Sequence, residues 1–412
     1  MTKHTILPPA IALICAAMLW SQSRGTPERP LPDGPGRDAV QAACTQCHAL
    51  AMVSNAGHTH DDWVTVVNMM VNDGAKLEQS QIPQIADYLA KNFPEKPLPP
   101  AVIVPGPVKV TFKQWTVPTP GSRPHDPLAA ADGTIWYTGH MASLLGHIDP
   151  ATGSIKEFHP KTPNAGPHGL VEDKDGNIWF TENFKAKIGE LFPKTGEFKE
   201  YDLPAEARDP HTPIFDQKGT LWFTVQGANM VGRLIPATGE IKLVTSPTPK
   251  SNPYGMVVNS KGVPFFVEFG APKVASIDPV TMEIHEYPLP NPDARPRRVA
   301  ITADDVIWYS DFSRGYLGRL DPKTGKVTEW PSPSGPQSQP YGIAIVHGAV
   351  FYCESNTKPN TLTRFDPKTE KFQTWTIPGG GGVVRNMMVT KDGSHLAMAE
   401  SGVNKVALAE IK

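Results

Sequence analysis

From Pro124 the chain returns at a near-constant interval to one short phrase, a proline followed by a polar or aromatic residue and often a glycine. The phrase opens at Pro124, Pro167, Pro210, Pro253, Pro296 and Pro340, a step of 43 residues four times and then 44. A seventh, degenerate copy opens at Val384-Arg385-Asn386, where valine replaces the proline. The clearest copy, residues 167–201, reads PHGLVEDKDGNIWFTENFKAKIGELFPKTGEFKEY. Its Asp-Gly and Pro-Lys-Thr-Gly turns separate four short hydrophobic or alternating runs, and four strands per step of this length predict a β-propeller. The second strand can be followed through all copies: IWYT ending at Thr138, IWFT at Thr181, LWFT at Thr224, PFFV at Val267, IWYS at Ser310, VFYC at Cys353 and LAMA at Ala399.

The seventh copy ends without its outer strand, and the alternating stretch Val110–Thr116 (VTFKQWT) stands before the first repeat without a partner. Pairing these two ends of the chain closes the ring and leaves no exposed edge. Composition agrees with many short strands and tight turns: 44 Pro, 35 Gly and only 19% charged residues in 412. A net charge of −2 with no Lys/Arg run excludes a nucleic-acid footprint.

The first 25 residues differ. Lys3 is followed by an apolar run from Ile6 to Trp20, the pattern of a signal peptide for export to the periplasm. The run is short for a membrane span and is interrupted by Pro8 and Pro9, so membrane contact is expected only if the segment stays uncleaved as an anchor. Cys44, Cys47 and Cys353 remain after cleavage, an odd number that argues against a disulfide framework.

Residues 44–48 read Cys-Thr-Gln-Cys-His. This C-x-x-C-H run is the attachment signature of covalent haem c, in which both thiols bond the porphyrin and the histidine ligates iron. A zinc site using His58 or His60 and a redox dithiol are the alternatives. Two helical stripes follow, one over 62–72 with Trp63, Val66, Val67 and Met70, and one with Ile82, Ile85, Ala86 and Leu89 that ends at Phe93. With the C-x-x-C-H run, they resemble the compact class I cytochrome c domains over residues 37–95. The resemblance implies Cys44, Cys47, His48 and Met70 as the haem-binding set, with His48 and Met70 on the iron, and electron exchange with a periplasmic redox partner protein. A proline-rich stretch, 96–109, reads as a semi-rigid linker to a propeller over 110–412. The expected fold is thus an all-β seven-bladed β-propeller preceded by a small all-α cytochrome c domain.

In a four-stranded blade, the start of the first strand and the end of the second open on one face. Two rings are therefore expected around one channel mouth. The first ring is His125, His168, His211, Tyr254, Arg297, Tyr341 and Arg385, and the second is Gly139, Glu182, Val225, Glu268, Asp311, Glu354 and Glu400. Such a mouth offers acid–base groups or ligands for a small-molecule substrate or a divalent cation. Repeat copies also inherit residue types without any site, and that reading stays open beside the first. Cys353 reads as inert core, and His285, His347 and His395 as surface residues.

The repeats P-H-G…DG-x-IWFTE…IG-x-L…P-x-TG, over about 110–411, resemble those of the virginiamycin B lyase family, seven-bladed propellers that open a cyclic depsipeptide by elimination at its ester. The resemblance implies a bound Mg²⁺ and a catalytic set of His168, Glu182 and His125. In that set His168 is the base or its partner, Glu182 a metal ligand or base-orienting group, and His125 a substrate contact. Two functions follow as expectations: an exported c-type haem protein whose propeller binds a redox partner or small molecule, and a carbon–oxygen lyase with an accessory haem domain. A non-catalytic binding module is the third.

Overall fold

The computed structural model describes residues 30–45, 49–72 and 74–412. The expected signal peptide, Cys47 and His48 lie outside the described residues. Among the described residues, no helix is long and apolar enough to cross a membrane.

Residues 110–411 form seven four-stranded antiparallel sheets. Blade 1 begins at Pro124 and blades 2 to 6 at Pro167, Pro210, Pro253, Pro296 and Pro340; blade 7 begins at Val384. Blade 7 is completed by Val110–Thr116, which pairs with Lys405–Ile411 in the register Val110↔Ile411 to Thr116↔Lys405. The ring is closed by its two ends, as the orphan strand predicts.

Side chains of the second strands build the walls between blades. In blade 2, Phe180 packs with Leu128 and Leu145 of blade 1. The glycine of the IG-x-L strand makes room for that aromatic ring: a Cβ at Gly189 would sit 2.1 Å from the Phe180 ring, and one at Gly146 1.9 Å from Tyr137. The threonine that ends the same strands has a different task. Thr181 Oγ1 accepts the N–H of Gly169 in its own blade at 3.0 Å and donates to the carbonyl of His211 in the next at 2.9 Å. Thr138 links Asp126 to His168, Thr224 links Thr212 to Tyr254, and Ser310 links Arg298 to Tyr341 in the same way. Each relay fixes the opening motif of one blade to that of the next.

Among the described residues, four α-helices precede the propeller: α1 (Arg37–Cys44), α2 (Ala51–Ser54), α3 (His60–Asn72) and α4 (Ile82–Asn92). They enclose a core of Val40, Trp63, Val67, Ile85 and Leu89. Before α1, a Cβ on Gly36 would lie 2.8 Å from Cβ of Tyr88 on α4, so the glycine permits a close approach there.

The small domain is held against the ring. Asn72 Nδ2 donates to the Pro120 carbonyl at 3.0 Å, and Gly121 lies against the backbone of Asn68 and Met69. The linker expected as a spacer is instead bound along the outer strand of blade 6. Val104 N–H donates to Thr374 Oγ1 at 2.7 Å, that hydroxyl donates to the Val102 carbonyl at 2.8 Å, and Gln373 Nε2 donates to the Val108 carbonyl at 2.6 Å.

Replacing Thr181 by valine keeps the shape but strands two buried backbone groups, on Gly169 and His211. A loss of about 1–3 kcal/mol is expected. Urea denaturation measures it, and a loss under about 0.5 kcal/mol would deny the hydroxyl its linking role.

Candidate functional site

The relays bring the second residues of the opening motifs into an arc. His125 and His168 have ring centroids 3.7 Å apart, His168 and His211 3.8 Å, and His211 and Tyr254 3.8 Å. His140, directly after the second strand of blade 1, joins them at 5.3 Å from His125 and 5.2 Å from His168. All four imidazoles are buried. Burial, reinforced by the other histidines and by arginines, holds their pKa values well below the ordinary range, so they are neutral at neutral pH.

Their hydrogen bonds separate them. His125 Nδ1 is 2.9 Å from Asp126 Oδ1, His211 Nδ1 is 2.9 Å from Thr212 Oγ1, and His140 Nε2 lies 3.4 Å from Asn183 Oδ1. His168 Nδ1 is buried with no hydrogen-bond partner. Held between His125 and His211 by ring contact, His168 presents an imidazole with unclaimed nitrogen.

Beneath the arc the axis is plugged by the third residues of four motifs. Arg298 donates to Asp126 Oδ1 at 2.5 Å, to Thr212 Oγ1 at 3.4 Å and to the Arg385 carbonyl at 3.1 Å. Asn386 Nδ2 donates to the other Asp126 oxygen at 3.0 Å. The remaining blades carry glycine or have no space at this position: a Cβ at Gly169 would meet the His211 carbonyl at 2.4 Å. Sequence reasoning passed over these residues, although the signal was present. Asp126, Thr212, Arg298 and Asn386 are the four copies that depart from the glycine of P-H-G and P-Y-G.

The far side of the mouth is aromatic and cationic. The Arg297 guanidinium lies 4.0 Å from the Tyr341 ring centroid, 4.2 Å from Phe312 and 4.7 Å from Phe269. Tyr254 and Tyr341 share a hydroxyl–hydroxyl bond of 2.6 Å. Burial alone would raise the Tyr341 phenol, but Arg297, Arg385 and Arg298 outweigh it and bring its pKa down to about 8.

The second ring is not at the mouth. Side chains alternate along a strand, so Glu182 shares the face of Phe180 and points into the interface with blade 1. The same placement holds for the other acids, which are all buried and mostly answered by partners in their own or the adjacent blade. Ser332, Ser334 and Thr361 donate to Glu354, Gln114 donates to Glu400, Ser246 donates to Glu268, and Arg314 pairs with Asp311 at 3.0 Å. Glu182 receives no hydrogen bond, and burial with the nearby Glu200 carboxylate pushes its pKa up to about 8. The expected set of His168, Glu182 and His125 therefore divides: the histidines meet and the glutamate stands apart from them.

Nor does the donor set suit Mg²⁺. His125, Asp126 and His168 bring ligand atoms within 4.8 Å of one another. Two of the three donors are imidazoles, and the carboxylate is already held by Arg298 and Asn386, whereas Mg²⁺ prefers an oxygen shell.

In the helical domain Cys44 is a free, half-buried thiol at the end of α1, and burial raises its pKa. Met70 is half-buried on α3, and Met52 is 62% exposed. His58 packs edge-on against Trp63 at 4.7 Å, and His60 lies 3.2 Å from both Asp61 and Asp87. Cys353 is buried, as expected of core; His285 and His347 are exposed, and His395 is half-buried.

Fold and mouth define a seven-bladed β-propeller with its polar centre on the channel axis. The chain belongs to the virginiamycin B lyase family, whose model matches residues 106–398. A structure of streptogramin B lyase is 27% identical, with a TM-score of 0.67, covering 74% of this chain and 98% of that one. A catalytically inactive histidine-to-alanine variant of virginiamycin B lyase from Staphylococcus aureus, with quinupristin, is 24% identical, with a TM-score of 0.66, over 73% of this chain and 99% of that one. Hydrazine synthase of Kuenenia stuttgartiensis shares the fold at 14% identity and a TM-score of 0.59, over 70% of this chain and 95% of that one. No curated protein matches the chain.

Removing the Glu182 charge tests its placement. Its folded pKa of about 8 lies above the unfolded value, so the folded state holds a proton that the unfolded state gives up. That contribution is present in full below about pH 4.5 and is lost as pH rises through about 8. Glu182→Gln should therefore raise stability by about 1 kcal/mol at pH 8 and by less at pH 5. Melting curves at both pH values check this, and an equal change at both would contradict a buried, unanswered carboxyl.

Proposed function

We propose that the protein is a carbon–oxygen lyase working at the histidine mouth, with His168 as the base. The observation that carries this reading is a buried, neutral imidazole with a nitrogen claimed by no hydrogen bond, packed between two further histidines. Family membership supports the reaction class, and the streptogramin B and virginiamycin B lyases among its relatives suggest a cyclic ester as substrate. In such a reaction the imidazole takes a proton from the carbon next to the C–O carbon. The C–H electron pair forms a C=C bond, the C–O bond breaks, and the ester oxygen leaves as a carboxylate. His125, with Nδ1 tied to Asp126, positions the neighbouring ring and contacts substrate.

Incubation with quinupristin should give a ring-opened product of unchanged mass. His168→Ala should lower the rate by about 10²-fold or more, the range for a lost general base. Absence of the product with the unaltered protein would sink the lyase reading, and an unchanged rate in the variant would remove His168 from it.

A second reading concerns residues 37–95 and rests on the Cys44-Thr45-Gln46-Cys47-His48 motif beside four helices packed on one core. We infer that this domain binds haem c through Cys44 and Cys47, with His48 and Met70 as iron ligands. The free thiol of Cys44 and the half-buried Met70 are compatible with that role. The group would supply one-electron transfer, exchanged with a redox partner protein in the periplasm. Haem staining after denaturing electrophoresis should show a band for the unaltered protein and none for the Cys44→Ala, Cys47→Ala double variant. A band that survives both substitutions would overturn covalent attachment.

A further inference from the structure

We propose that the channel mouth is an anion site, built for a carboxylate carried on a flat apolar body, with Arg123, Arg297 and Arg385 as its binding groups. The inference concerns what the mouth binds, and it stands whether or not His168 performs an elimination.

Charge is the first support. Four arginines meet here and one carboxylate answers them, because Asp126 is committed to Arg298. Among the described residues, Arg123, Arg297 and Arg385 have no ion pair. Elsewhere among the described residues Arg37, Arg233, Arg314 and Arg364 have acidic partners and Arg208, Arg295 and Arg319 have none; what sets the mouth apart is that its unpaired arginines stand beside one another. Arg385 has its Nε buried without a hydrogen bond. Arg385 and burial together push the pKa of Arg123 down to about 9, a sign that like charges are crowded without compensation. Holding unpaired guanidiniums out of water is costly, and an incoming carboxylate removes that cost through bidentate, charge-assisted bonds.

Shape and polarity are the second support. The three arginines are half-buried, unlike Arg298 beneath them, which is fully buried. Around them lie ring faces: the stacked imidazoles on one side, and Phe269, Phe312 and Tyr341 under Arg297 on the other. A phosphate would use the arginines alone. An aromatic or conjugated carboxylate uses both the charges and the rings.

The probes are benzoate, benzamide and inorganic phosphate, titrated against the full chain by ligand-observed NMR at fixed ionic strength. Benzoate should bind at least tenfold more tightly than benzamide, its neutral analogue, and more tightly than phosphate. Arg123→Gln and Arg385→Gln should each weaken benzoate at least tenfold while leaving benzamide unchanged. Because each substitution relieves repulsion, the ligand-free melting temperature should hold or rise, an outcome that a merely structural arginine would not produce. Equal binding of benzoate and benzamide, or benzoate binding indifferent to both substitutions, would overturn the proposal. Phosphate binding more tightly than benzoate would overturn the flat-carboxylate specificity. Failure of quinupristin turnover leaves these equilibria untouched, so the two readings fail separately.

Discussion

The hydroxyl that ends the second strand is the contact on which the mouth depends. A propeller blade is held to its neighbour mainly by apolar side chains, which are indifferent to small slips along the strand. A hydroxyl that accepts one N–H and donates to one carbonyl is not indifferent. Thr138, Thr181, Thr224 and Ser310 each lock the backbone of one opening motif to the next. Three of these relays are consecutive, from blade 1 to blade 4, and the contacts between His125, His168, His211 and Tyr254 span the same blades. At Val267, Cys353 and Ala399 the relay is missing, and at each of these steps one of the two opening residues is an arginine, Arg297 or Arg385. The regular ring spacing of 3.7–3.8 Å accompanies this backbone registration over blades 1 to 4.

Much of this was legible in the sequence because repeats report on themselves. The interval, the second strands and the orphan strand Val110–Thr116 were enough for seven blades and their closure. The ring of opening residues was legible too, since one position in each copy must face one axis. The acids were misplaced for a definite reason. Glu182 and its equivalents end strands near the mouth, but the alternation that buries Phe180 also directs Glu182 between blades. Chain position near an opening does not set side-chain direction, whereas parity along the strand does. The central plug escaped for the opposite reason. Asp126, Thr212, Arg298 and Asn386 lie at a position whose repeat residue is glycine, so they read as decay of the motif. Only the folded ring shows that these departures meet each other. The docking of the linker was not legible, because proline content reports the local stiffness of a semi-rigid spacer and says nothing of a docking surface such as Thr374 offers.

Buried charge is distributed unevenly around the molecule. Around the ring, buried acids are matched with hydroxyls and cations of their own or the adjacent blade: Glu354 has three hydroxyl donors, and Lys273 bonds Glu286 beside Glu268. The central Asp126–Arg298 pair is similarly complete, with both carboxylate oxygens and all three guanidinium nitrogens engaged. Glu182 and the mouth arginines depart from this satisfaction, and single atoms of Glu268 and Arg233 are also unanswered. Glu182 keeps an unanswered carboxyl inside an interface, where proton uptake neutralises it locally. The mouth arginines have no such escape, because a guanidinium does not readily release its proton. A cluster of like charges left beside one another at an opening is better matched to a ligand than to folding.

The position of the helical domain bears on the same mouth. Asn72 at the end of α3 bonds to Pro120, and Gly121 has no room for a side chain because the α3 backbone lies against it. Two residues further on is Arg123, and two beyond that is His125. On the other flank, α3 packs on the turn Ser401–Val403, whose Ser401 hydroxyl donates to the Pro124 carbonyl. The strand that carries His125 is therefore fixed from behind by Thr138 and from its start by contacts that the helices share. A small domain joined only through a flexible spacer would have no influence on the mouth. Here the linker is bound to blade 6 and α3 to the blade 1 opening, so the two units form one wall at the junction of blades 7 and 1.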